Sequence, residues 1–229
     1  MQNGSNTPSS EALIIVDVQP EYWSSSPAVS SSFPEFPLQL QRCLSWARSR
    51  GLCVTWIRCE YNNEKSPWLR NFAKLNPDKQ ALIEFNQEDL LWEDFAVPVQ
   101  GEAMVIKSSW NGVSNTSLTS YLKECNVDNC YLCGLITSVC VQHTAFGLFE
   151  SGFSIKIVEA ACADRGRDRH EKALALYGGY MYELVEVEGE ARGGGLTMSG
   201  ERGVVEDQTP TVITADNYEK LAKEYLKKR

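Results

Sequence analysis

Three residues whose side chains can carry out covalent hydrolysis stand directly after short apolar runs of this chain or at a predicted helix start. They are Asp17, Lys107 and Cys140. A thiolate can attack a carbonyl carbon, a carboxylate can take the thiol proton, and an ammonium can stabilise the charged pair. Each also has an ordinary structural interpretation: a capping acid, a solvated lysine and a buried core cysteine. Their significance as a set depends on whether the fold brings them together.

The segment around Cys140 predicts a strand, a sharp turn and a helix start. Tyr131 to Cys133 is a short apolar run closed by Gly134, and Thr137 and Ser138 are candidate helix caps. A cysteine in the first turn of a helix faces unpaired backbone N–H groups and the positive end of the helix dipole. Both favour the thiolate over the thiol. The same amides can hold a developing oxyanion.

The elements that must position these residues alternate between strands and helices. Ala12 to Val16 is a continuous apolar run typical of a buried parallel strand, and an apolar stripe over residues 36–47 predicts a helix that Gly51 ends. Further strands are predicted at 52–57, 104–106, 131–133, 153–158 and 211–214, and further helices at 115–123, after Cys140, from 168 or 169 and from 216. This alternation predicts a single three-layer α/β domain, with a central, mostly parallel sheet flanked by helices in a Rossmann-like arrangement.

The parallel sheet gives the three reactive residues a common location. Right-handed crossovers bring the C-terminal ends of parallel strands to one edge of a sheet, where ligands bind. Asp17 and Lys107 each directly follow a predicted strand, and Cys140 follows the turn after the predicted strand at 131–133. We therefore expect an acid, an ammonium and a thiol at one site.

Bulk composition limits the partners of the protein. The 229 residues include 22 Lys and Arg against 30 Asp and Glu, a formal net charge of -8, and this balance disfavours a nucleic-acid partner. The first ten residues lack the charged and apolar regions of a signal peptide, and no apolar run is long enough to span a membrane. We expect a soluble, cytoplasmic protein that acts on a small molecule, although unconventional secretion stays open.

Three segments depart from the α/β pattern. Residues 1–11 predict a disordered tail ahead of a domain over residues 12–229, and residues 189–208, with three consecutive glycines and alternating charges, predict a flexible insertion. A long irregular segment over residues 58–99 is a candidate cover for a pocket.

The cysteine and histidine content argues against a metal or a disulfide framework. Most of the eight cysteines fall inside apolar runs, which is typical of free thiols. The spacing of Cys130 and Cys133 is compatible with zinc, but no second pair matches it and the chain holds only two histidines. We expect neither a metal nor a cofactor.

At this point the chain resembles the isochorismatase-like cysteine hydrolases, a family that includes nicotinamidases, N-carbamoylsarcosine and ureidoacrylate amidohydrolases, and isochorismatase. The likeness runs from about Ala12 to Tyr182. Its motifs are Asp17-Val-Gln19, Lys107 with Ser114 to Leu118, Gly134-Leu-Ile-Thr-Ser-Val-Cys140-Val-x-x-Thr-Ala145, Gly152-Phe153, Glu159 to Asp164, and His170.

The resemblance implies a specific active site. It implies a catalytic triad of Asp17, Lys107 and Cys140, a cis peptide between Leu135 and Ile136, and an oxyanion hole made by the backbone amides of Ile136 and Cys140. It also implies a homo-oligomer, either a dimer or a tetramer. Substrate-pocket candidates are Gln19, Trp23, Tyr61 and Trp110.

Departures from the family narrow the expected reaction. The segment Trp56 to Tyr61 lacks the histidines with which nicotinamidases bind a metal after their second strand, which disfavours zinc-assisted nicotinamide hydrolysis. Cys140 favours cleavage of a C–N bond in a small amide or ureide through a covalent intermediate. Two alternatives stay open: vinyl-ether hydrolysis of isochorismate to pyruvate and a dihydroxy-cyclohexadiene carboxylate with Asp17 as the acid, as in a pathogen effector, and a non-enzymatic binding module.

Overall fold

The computed structural model describes residues 10–62, 64–78, 92–188 and 210–228. The predicted insertion at 189–208 and nearly all of the predicted tail lie outside these residues. Seven strands form one sheet in the order β6-β5-β4-β1-β2-β3-β7, and every neighbouring pair is parallel. The strands are β1 Ser10–Val16, β2 Cys53–Cys59, β3 Ala103–Lys107, β4 Val127–Leu135, β5 Ser154–Ala163, β6 Glu183–Val185 and β7 Thr211–Val212.

Helices cover both faces of this sheet. They are α1 Pro27–Ser32, α2 Phe36–Ser49, α3 Trp68–Leu75, α4 Leu118–Glu124, α5 Gln142–Glu150, α6 Arg167–Tyr177 and α7 Tyr218–Lys227, and a single π-helical turn, Thr137–Val141, precedes α5. The connections from β1 to β2 and from β4 to β5 run in opposite directions across the sheet, so right-handed crossovers place α2 and α5 on opposite faces. The predicted three-layer α/β fold is confirmed.

The core lies along the two central strands. Ala12 to Val16 of β1 are all fully buried, because helices cover both sides of the strand. The predicted apolar stripe of α2 is the face that it buries, with Phe36, Leu40, Cys43, Leu44 and Ala47 inside. No helix of the described residues is long and apolar enough to cross a membrane.

Several element boundaries differ from the sequence expectation. The tail was expected through residue 11, but β1 already begins at Ser10, whose N–H donates to the carbonyl of Asn126 and whose hydroxyl donates to the carbonyl of Cys125. The last helix is predicted from residue 216, but Asn217 is the N-cap of α7, which begins at Tyr218, and Asn217 makes no side-chain cap.

The largest difference is at β5, which continues to Ala163 rather than ending at Val158. The pairing with β4 is irregular there: Leu132 pairs with Ile157, but Gly134 pairs with Cys162. The extra residues of β5 bulge out of register, and they carry the chain to the edge of the sheet where Asp17 lies.

Gly134 sets the distance between β1 and β4. Its φ is +118°, and a Cβ atom there would stand 2.2 Å from the carbonyl oxygen of Val16. Neither strand can move easily, because both are central in the sheet. The close approach of these two backbones therefore requires glycine.

We predict that Gly134→Ala destabilises the fold much more than Gly152→Ala. Gly152 also has a positive φ, +94°, but nothing lies within 4 Å of its missing Cβ. Gly152→Ala should therefore cost only backbone strain, about 1–3 kcal/mol, whereas Gly134→Ala adds an overpacking cost of about 1–3 kcal/mol. Urea denaturation of the two variants measures the difference, and equal losses of unfolding free energy would contradict the close approach at Gly134.

Candidate active site

The site lies between β1 and β4, where the order in which successive strands are added to the sheet changes direction. β1 and β4 are neighbours, but the chain leaves them towards opposite edges, which opens a crevice at their carboxyl ends. Asp17 follows β1 directly, and the π turn with Cys140 follows β4 after one residue. The base and nucleophile candidates therefore flank the crevice.

Lys107 joins the other two residues. Its Nζ forms an ion pair with Asp17 Oδ2 at 2.7 Å, and it donates to the carbonyl oxygen of Ser109 at 2.9 Å and to Cys140 Sγ at 3.4 Å. All three predicted catalytic residues are buried, with Asp17 fully enclosed. The structure thus brings together the set that the sequence indicated.

The end of β2 lies between Lys107 and the two side chains that it contacts. β2 lies between β1 and β3, so the Lys107 side chain must extend past Cys59, its register partner. Gln19 holds this end in place: its Oε1 accepts from the N–H of Cys59 at 2.8 Å, and its Nε2 donates to the carbonyl of Cys59 at 3.4 Å. The fully buried Gln19, predicted as a pocket residue, thus fixes the strand end beneath the site.

Burial and charge control the ionisation of the three groups. Burial raises the pKa of Asp17, and the neighbouring Lys107 ammonium opposes this effect. Burial and then the Asp17 charge raise the pKa of the Cys140 thiol, whereas Lys107 lowers it. The pKa of Lys107 is raised by its acidic neighbours in spite of burial. One ammonium therefore faces two acids that share one proton.

The expectation of a lowered thiol pKa from the helix start alone is wrong. The Cys140 residue is only 4% exposed, so desolvation outweighs the helix dipole. Burial and the Asp17 charge both favour the neutral Cys140 thiol over the thiolate, and Asp17 is the ion-pair partner of Lys107. Neither Asp17 oxygen accepts a hydrogen bond of ordinary geometry from the described residues, and Lys107 pairs with Oδ2, so Oδ1 is the oxygen available for the thiol proton.

The helix start before Cys140 is built differently from the prediction. Thr137 and Ser138 were expected as caps, but neither caps the helix with its side chain. The Thr137 hydroxyl contacts Nδ1 of His170 at 2.9 Å, and the Ser138 N–H donates to Asp164 Oδ2 at 2.6 Å. Asp164 closes one of the motifs of the family resemblance, but its contact with Ser138 was not predicted. The bulge of β5 brings it to the site, and no periodicity in the sequence reveals such a bulge.

The backbone before Cys140 has a cis peptide between Leu135 and Ile136. The N–H groups of Val139 and Val141 both donate to the carbonyl of Ile136, at 3.0 and 3.3 Å. The N–H of Ser138 donates to Asp164, so all three of these N–H groups already have an acceptor. The amides of Ile136 and Cys140, predicted to bind an oxyanion, are not among these three.

A line of aromatic side chains borders Cys140. The Tyr61 hydroxyl lies 3.9 Å from Cys140 Sγ, and Tyr61 contacts Trp68 edge-on with ring centroids 5.0 Å apart. Trp68 in turn contacts Trp110 at 5.3 Å, and Trp110 contacts His143 at 5.4 Å. Tyr61 and Trp110 were pocket candidates, whereas Trp68 was missed because it lies in the irregular segment.

Trp23, the remaining pocket candidate, packs into the main core. Its ring centroid is 5.0 Å from that of Phe36 and 5.6 Å from that of Phe95. Within the residues that the structure describes, its ring contacts are with these core aromatics and not with the Tyr61 to His143 line.

No three His, Cys, Asp or Glu side chains come together as a metal site in the described ranges. All eight cysteines are free and buried.

Residues 11–188 match the family model of the isochorismatase domain. The chain belongs to the isochorismatase family. Among its relatives, ureidoacrylate amidohydrolase of Yersinia enterocolitica is 29% identical over 190 residues, which cover 74% of this chain and 81% of the relative. The ureidoacrylate amidohydrolase of Cronobacter sakazakii is 27% identical over 174 residues, covering 67% and 75%.

Solved structures show the same fold. N-carbamoylsarcosine amidase from Thermoplasma acidophilum superposes with a TM-score of 0.63 at 20% identity, covering 77% of this chain and 96% of the other. An isochorismatase family protein from Desulfovibrio vulgaris gives a TM-score of 0.65 at 19% identity, covering 78% and 94%. This isochorismatase-family protein is therefore a hydrolase with the expected α/β fold.

We predict that Asp17→Asn and Lys107→Met shift the thiol pKa of Cys140 in opposite directions. Asp17→Asn removes the negative charge that raises this pKa, so the pKa should fall; Lys107→Met removes the cation that lowers it, so the pKa should rise further. Ultraviolet titration of the thiolate measures both shifts. The matching Cys140→Ser double variants serve as blanks, and shifts of the same sign would contradict the shared-proton arrangement.

Proposed function

We propose that this hydrolase cleaves a C–N bond of a small amide or ureide through a covalent intermediate on Cys140. The observation that carries the proposal is the contact of one buried ammonium, Lys107, with both the Asp17 carboxylate and the Cys140 sulfur. This arrangement supplies a nucleophile, a base for its proton and a fixed charge that balances whichever of the two is ionised.

Acylation begins with a proton transfer. The Cys140 thiol gives its proton to Asp17 as the sulfur bonds to the substrate carbonyl carbon, and Lys107 stabilises the thiolate that develops. The carbonyl oxygen becomes an oxyanion, for which the amides of Ile136 and Cys140 are the proposed donors. The C–N bond then breaks, and the departing amine or ammonia takes the proton from Asp17.

Deacylation reverses the proton path. The acyl group remains on Cys140 as a thioester, or as a thiocarbamate when the substrate is a ureide. Asp17, again a carboxylate, takes a proton from water, and the hydroxide attacks the acyl carbon. Collapse of this second tetrahedral intermediate expels the Cys140 sulfur, which recovers its proton from Asp17.

Substrates with a carbamoyl group on nitrogen are the first class to test. The curated relatives are named for ureidoacrylate and a structural relative for N-carbamoylsarcosine, and the ureido and N-carbamoyl groups are the same chemical unit. The aromatic line from Tyr61 to Trp110 is suited to pack against the apolar part of such a molecule.

We predict that wild-type protein releases ammonia from members of an amide and ureide panel, and that Cys140→Ala and Asp17→Asn both abolish this release. Loss of a general base typically costs about 10²–10⁴-fold in rate, and loss of the nucleophile removes the covalent route entirely. The matched control is Cys130→Ala, because Cys130 is also a buried thiol but lies in the core. Trapped acyl-Cys140 in mass spectra of quenched reactions would support the intermediate directly.

The second candidate is hydrolysis of isochorismate with Asp17 as the acid. The raised pKa of Asp17 favours it, because burial keeps a larger fraction of this carboxyl protonated. Pyruvate release from isochorismate separates the two functions: release that survives Cys140→Ala but not Asp17→Asn would replace the amidase proposal. A binding module is the third possibility, and turnover of any panel member excludes it.

A homo-oligomeric state, either dimer or tetramer, and a cytoplasmic location remain predictions. Light scattering of the purified protein tests the first, and fractionation of the source cells tests the second.

A further inference from the structure

The π turn that carries Cys140 is tied to the segment after β5 by two side-chain contacts. Asp164 Oδ2 accepts from the Ser138 N–H at 2.6 Å, and Thr137 contacts Nδ1 of His170 at 2.9 Å. Ser138 and Thr137 are the two residues that open the turn. Both of their partners come from outside the β4–α5 connection.

Asp164 is enclosed and committed to this contact. It is fully buried, and its other oxygen, Oδ1, accepts from the N–H of Arg165 at 2.7 Å, with the half-exposed Arg165 guanidinium 3.7 Å away. A carboxylate that accepts backbone N–H groups at a helix start makes short, charge-assisted hydrogen bonds. Asp164 therefore fixes Ser138 relative to the end of β5.

The second contact fixes the residue before it. His170 is 5% exposed, packs its ring against Phe33 with centroids 5.0 Å apart, and burial lowers its pKa. Burial thus favours the neutral imidazole, one nitrogen of which lies within hydrogen-bond distance of Thr137, while Glu159 lies 3.9 Å from the other. Because α6 also packs against the π turn, the Thr137 contact lies between two elements that already touch.

These contacts matter because the geometry at Cys140 has little tolerance. The sulfur must stay 3.4 Å from Lys107 while an acyl carbon approaches it, and the Cys140 amide moves with the same turn. A misplacement of about 1 Å in such a site can cost on the order of 10²-fold in rate.

We propose that Asp164 is a positioning residue of the active site, which holds the π turn through Ser138 so that Cys140 faces Lys107 and Asp17, with the Thr137–His170 contact as a second tie. Asp164 does not touch the reacting atoms; it acts through the backbone of the turn. The kinetic part of this proposal rests on the proposed amidase function, but the geometry of the thiol can be measured without turnover.

The test compares Asp164→Ala and Asp164→Asn with Asn217→Ala as a matched control. Asn217 also ties a backbone N–H at a helix start, since its Oδ1 accepts from Thr214 at 2.7 Å, but it lies at α7. We expect kcat of Asp164→Ala to fall by about 10–100-fold with KM changed by less than about threefold, because only the position of the nucleophile changes. Asp164→Asn keeps one acceptor oxygen and should lose less, and Asn217→Ala should keep wild-type kcat.

The second readout is the pH dependence of Cys140 alkylation, followed for each cysteine by mass spectrometry. Burial and Asp17 hold this thiol pKa above its ordinary value, so release of the turn should move it down by about one pH unit or more towards that of a free cysteine. Thr137→Val should shift it in the same direction and Thr137→Ser should restore it, which keeps the test informative if Asp164→Ala fails to fold.

Unchanged kcat and an unchanged alkylation profile in folded Asp164 variants, with only a loss of unfolding free energy like that of Asn217→Ala, would overturn the positioning role. If the wild type cleaves no amide, the proposed function fails, and the alkylation profile alone then supports or overturns the role of Asp164.

Discussion

The site depends on one buried cation that serves two acids. An isolated ion in a protein interior costs several kcal/mol, and removal of one member of a buried pair typically destabilises a protein by about 3–5 kcal/mol. Lys107 reduces this cost for Asp17 through a 2.7 Å contact and reaches the Cys140 sulfur as well. Since the three groups carry one positive and one negative charge whichever acid holds the proton, transfer of the proton from thiol to carboxylate leaves the net charge of the pocket unchanged. A low-dielectric interior can accommodate such a transfer, whereas it would strongly oppose the creation of a new charge.

The sheet topology makes this contact possible. β1 and β4 are adjacent at the point where the strand order changes direction, so the residues that follow them share a crevice. Lys107 arrives from β3, one strand beyond β2, and Gln19 fixes the end of β2 by pairing with the backbone of Cys59. The long aliphatic stem of a lysine spans this gap, while the short side chains of Asp17 and Cys140 need the direct proximity of their own strands.

Sequence patterns were sufficient for the fold and for the three reactive residues, since apolar runs identify buried parallel strands and strand ends in such a sheet converge. They were insufficient where tertiary structure overrides local pattern. Glu159 interrupts the apolar run of β5, so periodicity ends the strand early; the bulge opposite Gly134 extends it and delivers Asp164. The thiol pKa was misjudged because a helix start is visible in sequence and the depth of burial is not. Trp68 escaped notice because no regular pattern surrounds it.

The active site depends on Gly134 as well as on its catalytic side chains, because β1 and β4 must approach each other closely. At this position the two strands that present the base and the nucleophile approach so closely that a single methyl group would collide with the Val16 carbonyl, one residue before Asp17. The spacing between carboxylate and thiol is thus encoded by a missing side chain. A transplant of Asp17, Lys107 and Cys140 into another parallel sheet would reproduce the chemistry of this pocket only if the recipient strands also met at a glycine.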